Sequence, residues 1–178
     1  MPLTTLIGGA RSGKSRLAVE LAVACGAAVT FIATGEAGDE EMAARIAAHR
    51  AERPAGWLTV EEPYALEAAV AAADVSHTVV VDCLTLWTAN ALARDGDPEL
   101  VLAAATSAAG AAADREALTI AVSNEVGLGI VPLEPLSRAY RDLLGSVNRA
   151  WVEASAEAAF VVAGRALVLR DAAGPLPR

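Results

Sequence analysis

Leu3-Thr4-Thr5-Leu6-Ile7-Gly8-Gly9-Ala10-Arg11-Ser12-Gly13-Lys14-Ser15-Arg16-Leu17-Ala18-Val19-Glu20-Leu21-Ala22 is the stretch that decides the fold. Leu3 to Ile7 form a short β-rich run and Arg16 to Ala22 a helical pattern. Between them, Gly8 to Ser15 match the phosphate-cradling pattern G-x-x-x-x-G-K-[ST] in full, in the strand, loop, helix order that this motif needs. Lys14 is the sole lysine among 14 Lys and Arg residues. A compact ammonium suits a tight phosphate loop where a planar guanidinium does not. The segment reads as a site for nucleotide phosphates.

The same grammar recurs downstream. Ala28 to Ala33, His77 to Asp82, Leu118 to Ser123 and Ala158 to Ala163 are apolar, β-rich runs ending in polar or glycine-bearing turns. Near-continuous apolar runs such as Thr78-Val79-Val80-Val81 suit strands covered on both faces. Between them lie helical stretches at 39–52, 63–73, 84–94, 98–113 and 135–157, several opening on Pro or an acidic residue. Residues 165–170 fit a last strand joined through Gly164. The expected architecture is an α/β, doubly wound, mostly parallel sheet of P-loop NTPase type with helices on both faces. It fills one domain over residues 1–170, followed by a frayed tail at 171–178.

Composition narrows the partners. A chain of 178 residues suffices for one core, and a formal charge of -8 gives no field that attracts nucleic acid. The longest uncharged apolar run, 100–113, falls short of the ~20 residues that span a bilayer, and no secretory signal opens the chain. A cytoplasmic protein acting on a small molecule is expected. Cys25 and Cys83 form no C-x-x-C pair and are expected as buried free thiols.

In such a sheet, ligands gather at the carboxyl ends of strands. There the chain places the P-loop, Thr34-Gly35-Glu36, Asp82, and Ser123-Asn124-Glu125. Asp82 stands where P-loop enzymes keep an acid for magnesium, with the Ser15 hydroxyl as second ligand. Backbone N–H groups from Gly9 to Ser15 cradle the phosphates, and Lys14 reaches the β and γ oxygens.

Within the helical stretch 39–52, spacing puts Arg45, His49 and, beyond it, Arg53 in one column at i, i+4 and i+8. The arginines supply charge for a phosphate and leave a ring nitrogen of His49 available for attack on phosphorus; the bland alternative is a surface histidine. His77 reads as structural, and Trp57, Trp87 and Trp151 as core. The loop 124–132 either touches substrate or only fixes its turn.

Taken together, Gly8 to Ser15, Ile32-Ala33-Thr34, Arg45-Ile46-x-x-His49-Arg50 with Arg53-Pro54 and Trp57, and Asn124-Glu125-Val126-Gly127-x-Gly129-Ile130-Val131-Pro132 resemble the bifunctional adenosylcobinamide kinase / adenosylcobinamide-phosphate guanylyltransferase family. Asp82-Cys83-Leu84-Thr85-Leu86-Trp87 and Arg141-Asp142-x-x-Gly145-x-x-Asn148 fit the same pattern, and the likeness runs in order from residue 3 to about 170. The resemblance implies two reactions of cobalamin synthesis. ATP or GTP phosphorylates the aminopropanol hydroxyl of adenosylcobinamide; GTP then passes GMP through a histidine to the new phosphate, giving adenosylcobinamide-GDP.

His49 matches the nucleophile of that family, although some members carry two adjacent histidines where this chain has Ala48 before His49. The resemblance further implies nucleotide contacts from Gly8, Gly9, Ala10, Arg11, Ser12, Gly13, Lys14 and Ser15, from Ala33, Thr34 and Gly35, from Arg50, Ala51, Glu52 and Arg53, from Glu61 or Glu62, and from Asp82. It implies Mg2+ at Ser15 and Asp82, and a homotrimer with sites near subunit contacts. Two rivals remain: a monofunctional small-molecule kinase, and a GTP switch. The second lacks the Asn-Lys-x-Asp guanine segment, because no lysine lies outside the P-loop.

Overall fold

The computed structural model describes residues 3–51 and 53–170, with the side chain of Arg45 also outside the description. The expected tail at 171–178 and the expected contact Glu52 thus lie outside the described residues.

Strands β1 (Leu3–Gly8), β2 (Val29–Ala33), β3 (Leu58–Glu61), β4 (Thr78–Asp82), β5 (Thr119–Asn124), β6 (Glu157–Val162) and β7 (Arg165–Val168) form one seven-stranded sheet in the order β3-β2-β4-β5-β1-β6-β7. Every neighbouring pair is parallel except β6 and β7, a hairpin turned at Gly164, whose φ of 72° suits glycine. The helices are α1 (Lys14–Ala24), α2 (Glu40–Ala51), α3 (Leu66–Ala72), α4 (Leu84–Asp95), α5 (Pro98–Ala113) and α6 (Pro135–Ala154).

Burial explains the continuous apolar runs. β1 and β2 are buried throughout, and β4 and β5 are buried up to their final residues. Alternate residues of these strands feed two cores, as a pleat requires. Leu3, Ile32, Val79, Val81 and Ala121 pack with Leu66, Trp87, Ala105, Val147 and Trp151 beneath α3 to α6. Leu6, Phe31, Val80, Ile120 and Val122 pack with Ala18 and Ala22 of α1 on the opposite face. The alanine-rich α5 fits this scheme: Ala105, Ala108, Ala109 and Ala112 are buried, and small side chains let it lie close to α6 and α3. α2 contributes nothing to either core, and none of its described side chains is buried.

Four sequence expectations need correction. β3 was not foreseen; it is a short edge strand, only half-buried, so its apolar signal is weak. The last long helix ends at Ala154 rather than 157, because Glu157 already pairs with β1. The third helix starts at Leu66, after a turn held by Glu62 rather than at Pro63. Cys25 is exposed at the end of α1, whereas Cys83 is half-buried; both thiols are free. Trp87 and Trp151 lie in the core, and Trp57 stacks beside Phe31 with ring centroids 6.2 Å apart.

Candidate active site

Strand order assembles the site. β5 lies between the P-loop strand and the Asp82 strand, and the carboxyl ends align: Gly8 is level with Asn124, and Ala33 with both Asp82 and Glu61. The end of β5 therefore sits between the phosphate loop and the acid.

The loop itself is pinned from outside. A side chain at Gly8 would place its Cβ 2.1 Å from the Val161 carbonyl oxygen, so β6 tolerates only glycine there. Gly164 N–H donates to the Ser12 carbonyl at 2.8 Å, and Gly13, at φ 101°, turns the chain into α1. No side chain caps α1 and no acid stands in its first turn, which leaves its N–H groups and positive dipole end for an anion. Lys14 Nζ donates to Gly9 O at 2.7 Å, folded over the loop.

The electrostatics centre on Asp82. Burial pushes its carboxyl above the usual carboxylate range; the Ser15 hydroxyl, then His49, Arg53 and Lys14 draw it back. Burial likewise lowers the Lys14 ammonium, with Cys83 and Asp82 opposing. Asp82 also opposes the lowering that burial imposes on Arg53, so the coupling is felt from both partners. Asp82 thus lies within electrostatic reach of the P-loop lysine, the histidine of α2 and the arginine that follows it, with the P-loop serine as hydrogen-bond partner.

Arg53 departs from the expected helical column. α2 stops at Ala51, since Pro54 disfavours helix at the residue before it. Its guanidinium instead lies 3.7 Å from the Phe31 ring centroid, Nη1 donates to Thr59 Oγ1 at 3.4 Å, and the buried Nε has no partner. Its cation–π contact holds that donor over the sheet end. His49 and Arg50 are exposed on the last turn of α2, with Arg50 Nη1 3.2 Å from Glu61 Oε1. Ala51 closes the helix and is exposed.

The structure separates the two neighbouring glutamates. Glu62 Oε1 accepts from the N–H groups of Tyr64 and Ala65 and serves the turn into α3, while Glu61 faces Arg50. Thr34, expected as a nucleotide contact, is fully used internally. Its N–H donates to Asp82 O, its Oγ1 bridges the Cys83 N–H and carbonyl at 2.8 and 2.6 Å, and its carbonyl accepts from Asn90 Nδ2. Thr34 therefore ties the end of β2 to Asp82, Cys83 and α4. Ala33 is buried and Gly35 packs near Leu86 and Ile46. Ala10 and Arg11 are exposed at the loop crest; Gly9 has open space beside its Cα.

A second layer of contacts is visible only in the fold. Thr85 Oγ1 accepts from the Asn124 N–H, Tyr140 Oη donates to Thr85 O, and Asn148 joins Asn124 O to Ser123 Oγ. Thr85 and Asn148 fall inside blocks that fit the family pattern, but their supporting contacts come only from the sheet order that brings these helices together.

The family model described as cobinamide kinase / cobinamide phosphate guanyltransferase matches residues 4–169. The chain belongs to that family. The bifunctional adenosylcobalamin biosynthesis protein CobP of Pseudomonas aeruginosa is 47% identical over 166 residues, covering 93% of this chain and 95% of that protein. The bifunctional adenosylcobalamin biosynthesis protein CobU of Escherichia coli is 39% identical, covering 88% of this chain and 93% of its own length. Its namesake from Salmonella typhimurium is 40% identical with the same coverages. A looser likeness, to a crystal structure of the RadB recombinase, has a TM-score of 0.43 at 14% identity, over 89% of this chain and 73% of that one. Among the described residues, no helix is long and apolar enough to cross a membrane, and no cluster of three or more His, Cys, Asp or Glu side chains forms a metal cage.

Proposed function

We propose that this member of the cobinamide kinase / guanyltransferase family, a cytoplasmic homotrimer by resemblance, phosphorylates adenosylcobinamide with ATP or GTP and then joins GMP to the product through His49. The observation that carries the reading is the placing of the P-loop, Asp82 and the Arg50–Glu61 pair at the same carboxyl end of the sheet, with Lys14 and Ser15 on one side of Asp82 and His49 and Arg53 within its electrostatic reach on the other.

In the first reaction the hydroxyl oxygen attacks the γ-phosphorus, and the bond to the β-phosphate bridging oxygen breaks. Lys14 and the open α1 N-terminus stabilise charge on the phosphate oxygens. Ser15 and Asp82 offer two adjacent oxygen ligands for Mg2+, a fitting set for an ion that takes its remaining ligands from phosphates and water. Bound there, the ion would neutralise developing oxyanion charge.

In the second reaction a His49 ring nitrogen bonds to the α-phosphorus of GTP and pyrophosphate leaves. A phosphate oxygen of the corrinoid then forms the new P–O bond as the N–P bond breaks. The Arg53 guanidinium, held over the Phe31 ring, supplies positive charge for the nucleotide, and Arg50 and Glu61 flank it. α2 buries no described side chain, so a shift that brings His49 onto the α-phosphorus breaks no core packing.

The two reactions are separable. Lys14→Ala should abolish corrinoid phosphorylation, while His49→Asn should phosphorylate adenosylcobinamide yet form no adenosylcobinamide-GDP. Guanylyl transfer persisting in His49→Asn would refute the route through that histidine.

A further inference from the structure

A groove of about 550 Å3 opens between the segment that follows β5 and one face of α6, lined by Glu125, Arg141, Asp142, Gly145, Ser146 and Arg149. We propose that this groove seats the acceptor, an amide-fringed macrocycle carrying a hydroxyl on a short arm, and directs that arm to the P-loop; the inference rests on the kinase reading above.

Its position follows from the sheet. Glu125 N–H donates to Gly8 O at 3.1 Å, so the groove begins at the first residue of the phosphate loop. His49, Arg50, Arg53 and Glu61 crowd the β2–β3 side of the site, and the groove opens on the β5–α6 side. Transfer at phosphorus needs attacking and leaving oxygens in line, so the acceptor approaches from a side that the nucleotide leaves free.

Its chemistry is that of an uncharged polar ligand. Two carboxylates and two guanidiniums share the lining, with Arg141 bound to Asp142 at 2.8 Å, so donors and acceptors are both on offer without a net field. A primary amide, donor and acceptor at once, matches such a wall. The volume takes an arm and an edge of a corrin, not the whole ring. The remainder has a surface beside it: Leu128, Ile130 and Leu133 are 81%, 98% and 93% exposed in the loop that runs on from the groove. Arg138 Nη1, donating to the Pro132 and Leu133 carbonyls, holds that loop against α6. An apolar shelf beside a mixed polar groove suits an amphipathic ring.

Gly145 gives a clean test, because a Cβ there meets nothing within 4 Å and helix α6 tolerates a side chain. Gly145→Phe should raise the KM for adenosylcobinamide at least about tenfold while the KM for ATP or GTP stays within about twofold. Leu128→Ser with Ile130→Ser should raise the corrinoid KM several-fold with the same split. An unchanged corrinoid KM in both variants overturns the groove, as does a shift of Gly145→Phe to a smaller oligomer in sedimentation with corrinoid binding per chain intact, which would make the face a contact between copies. Wild-type protein that fails to phosphorylate adenosylcobinamide at all would instead sink the kinase reading.

Discussion

Gly8→Ala isolates the contact that fixes the P-loop. The new methyl would sit 2.1 Å from the Val161 carbonyl oxygen and 3.1 Å from Ser12 Oγ. The first of these is backbone in a paired strand, so β6 must retreat by about 1 Å or more from a ladder normally spaced ~4.8 Å. Overpacking of this kind costs about 1–3 kcal/mol, and each weakened β1–β6 hydrogen bond adds about 1 kcal/mol, for a total near ~3 kcal/mol. With a urea m-value of about 2 kcal/mol/M, the unfolding midpoint should fall by about 1.5 M. Gly9→Ala is the matched control: its Cβ meets nothing within 4 Å, and its midpoint should stay within about 0.3 M of wild type. Urea titration followed by tryptophan fluorescence suits the comparison, since Trp151 and Trp87 are buried. Equal midpoints for the two variants would refute the claim that β6 pins the loop.

Two further outcomes follow from the acid and the thiols. The Asp82 carboxyl is held above its ordinary range, so the stability owed to its protonated form is present below that range and is lost as pH rises through the raised value. Asp82→Asn should therefore raise the Tm of nucleotide-free protein at pH 7, with the difference closing in acid, and should remove kinase activity; a lowered Tm at pH 7 contradicts this reading. Burial pushes the Cys83 thiol up to about 11, whereas Cys25 is exposed, so a maleimide at pH 7.5 should label the native chain once and the unfolded chain twice. Rapid double labelling of native protein would contradict that placement of Cys83.

The buried parallel strands and the P-loop were legible because each carries its own local signal: an unbroken apolar run, or a motif with fixed spacing. Asp82 and His49 were legible as positions, by strand end and by resemblance. That both bear on one point was not, since it depends on β2, which leads into α2, lying beside β4. Leu58-Thr59-Val60-Glu61 follows a Pro-Ala-Gly turn and alternates as an edge strand does, a signal short enough to miss. Thr34 carries a role that its strand-end position alone does not reveal: its hydrogen bonds to Asp82, Cys83 and Asn90 tie β2 to the end of β4 and to α4. Thr85 and Asn148 were legible as members of family-pattern blocks but not in what they hold, and Asn90 carried no signal beyond a polar residue on an inner face.

The measurement that bears most directly on the central claim is incubation of the protein with Mg2+ and GTP labelled at the α-phosphate, followed by peptide mapping. The account predicts an acid-labile, base-stable label on the peptide that contains His49, absent from His49→Ala. No adduct on wild-type protein, or an undiminished one in His49→Ala, would contradict it.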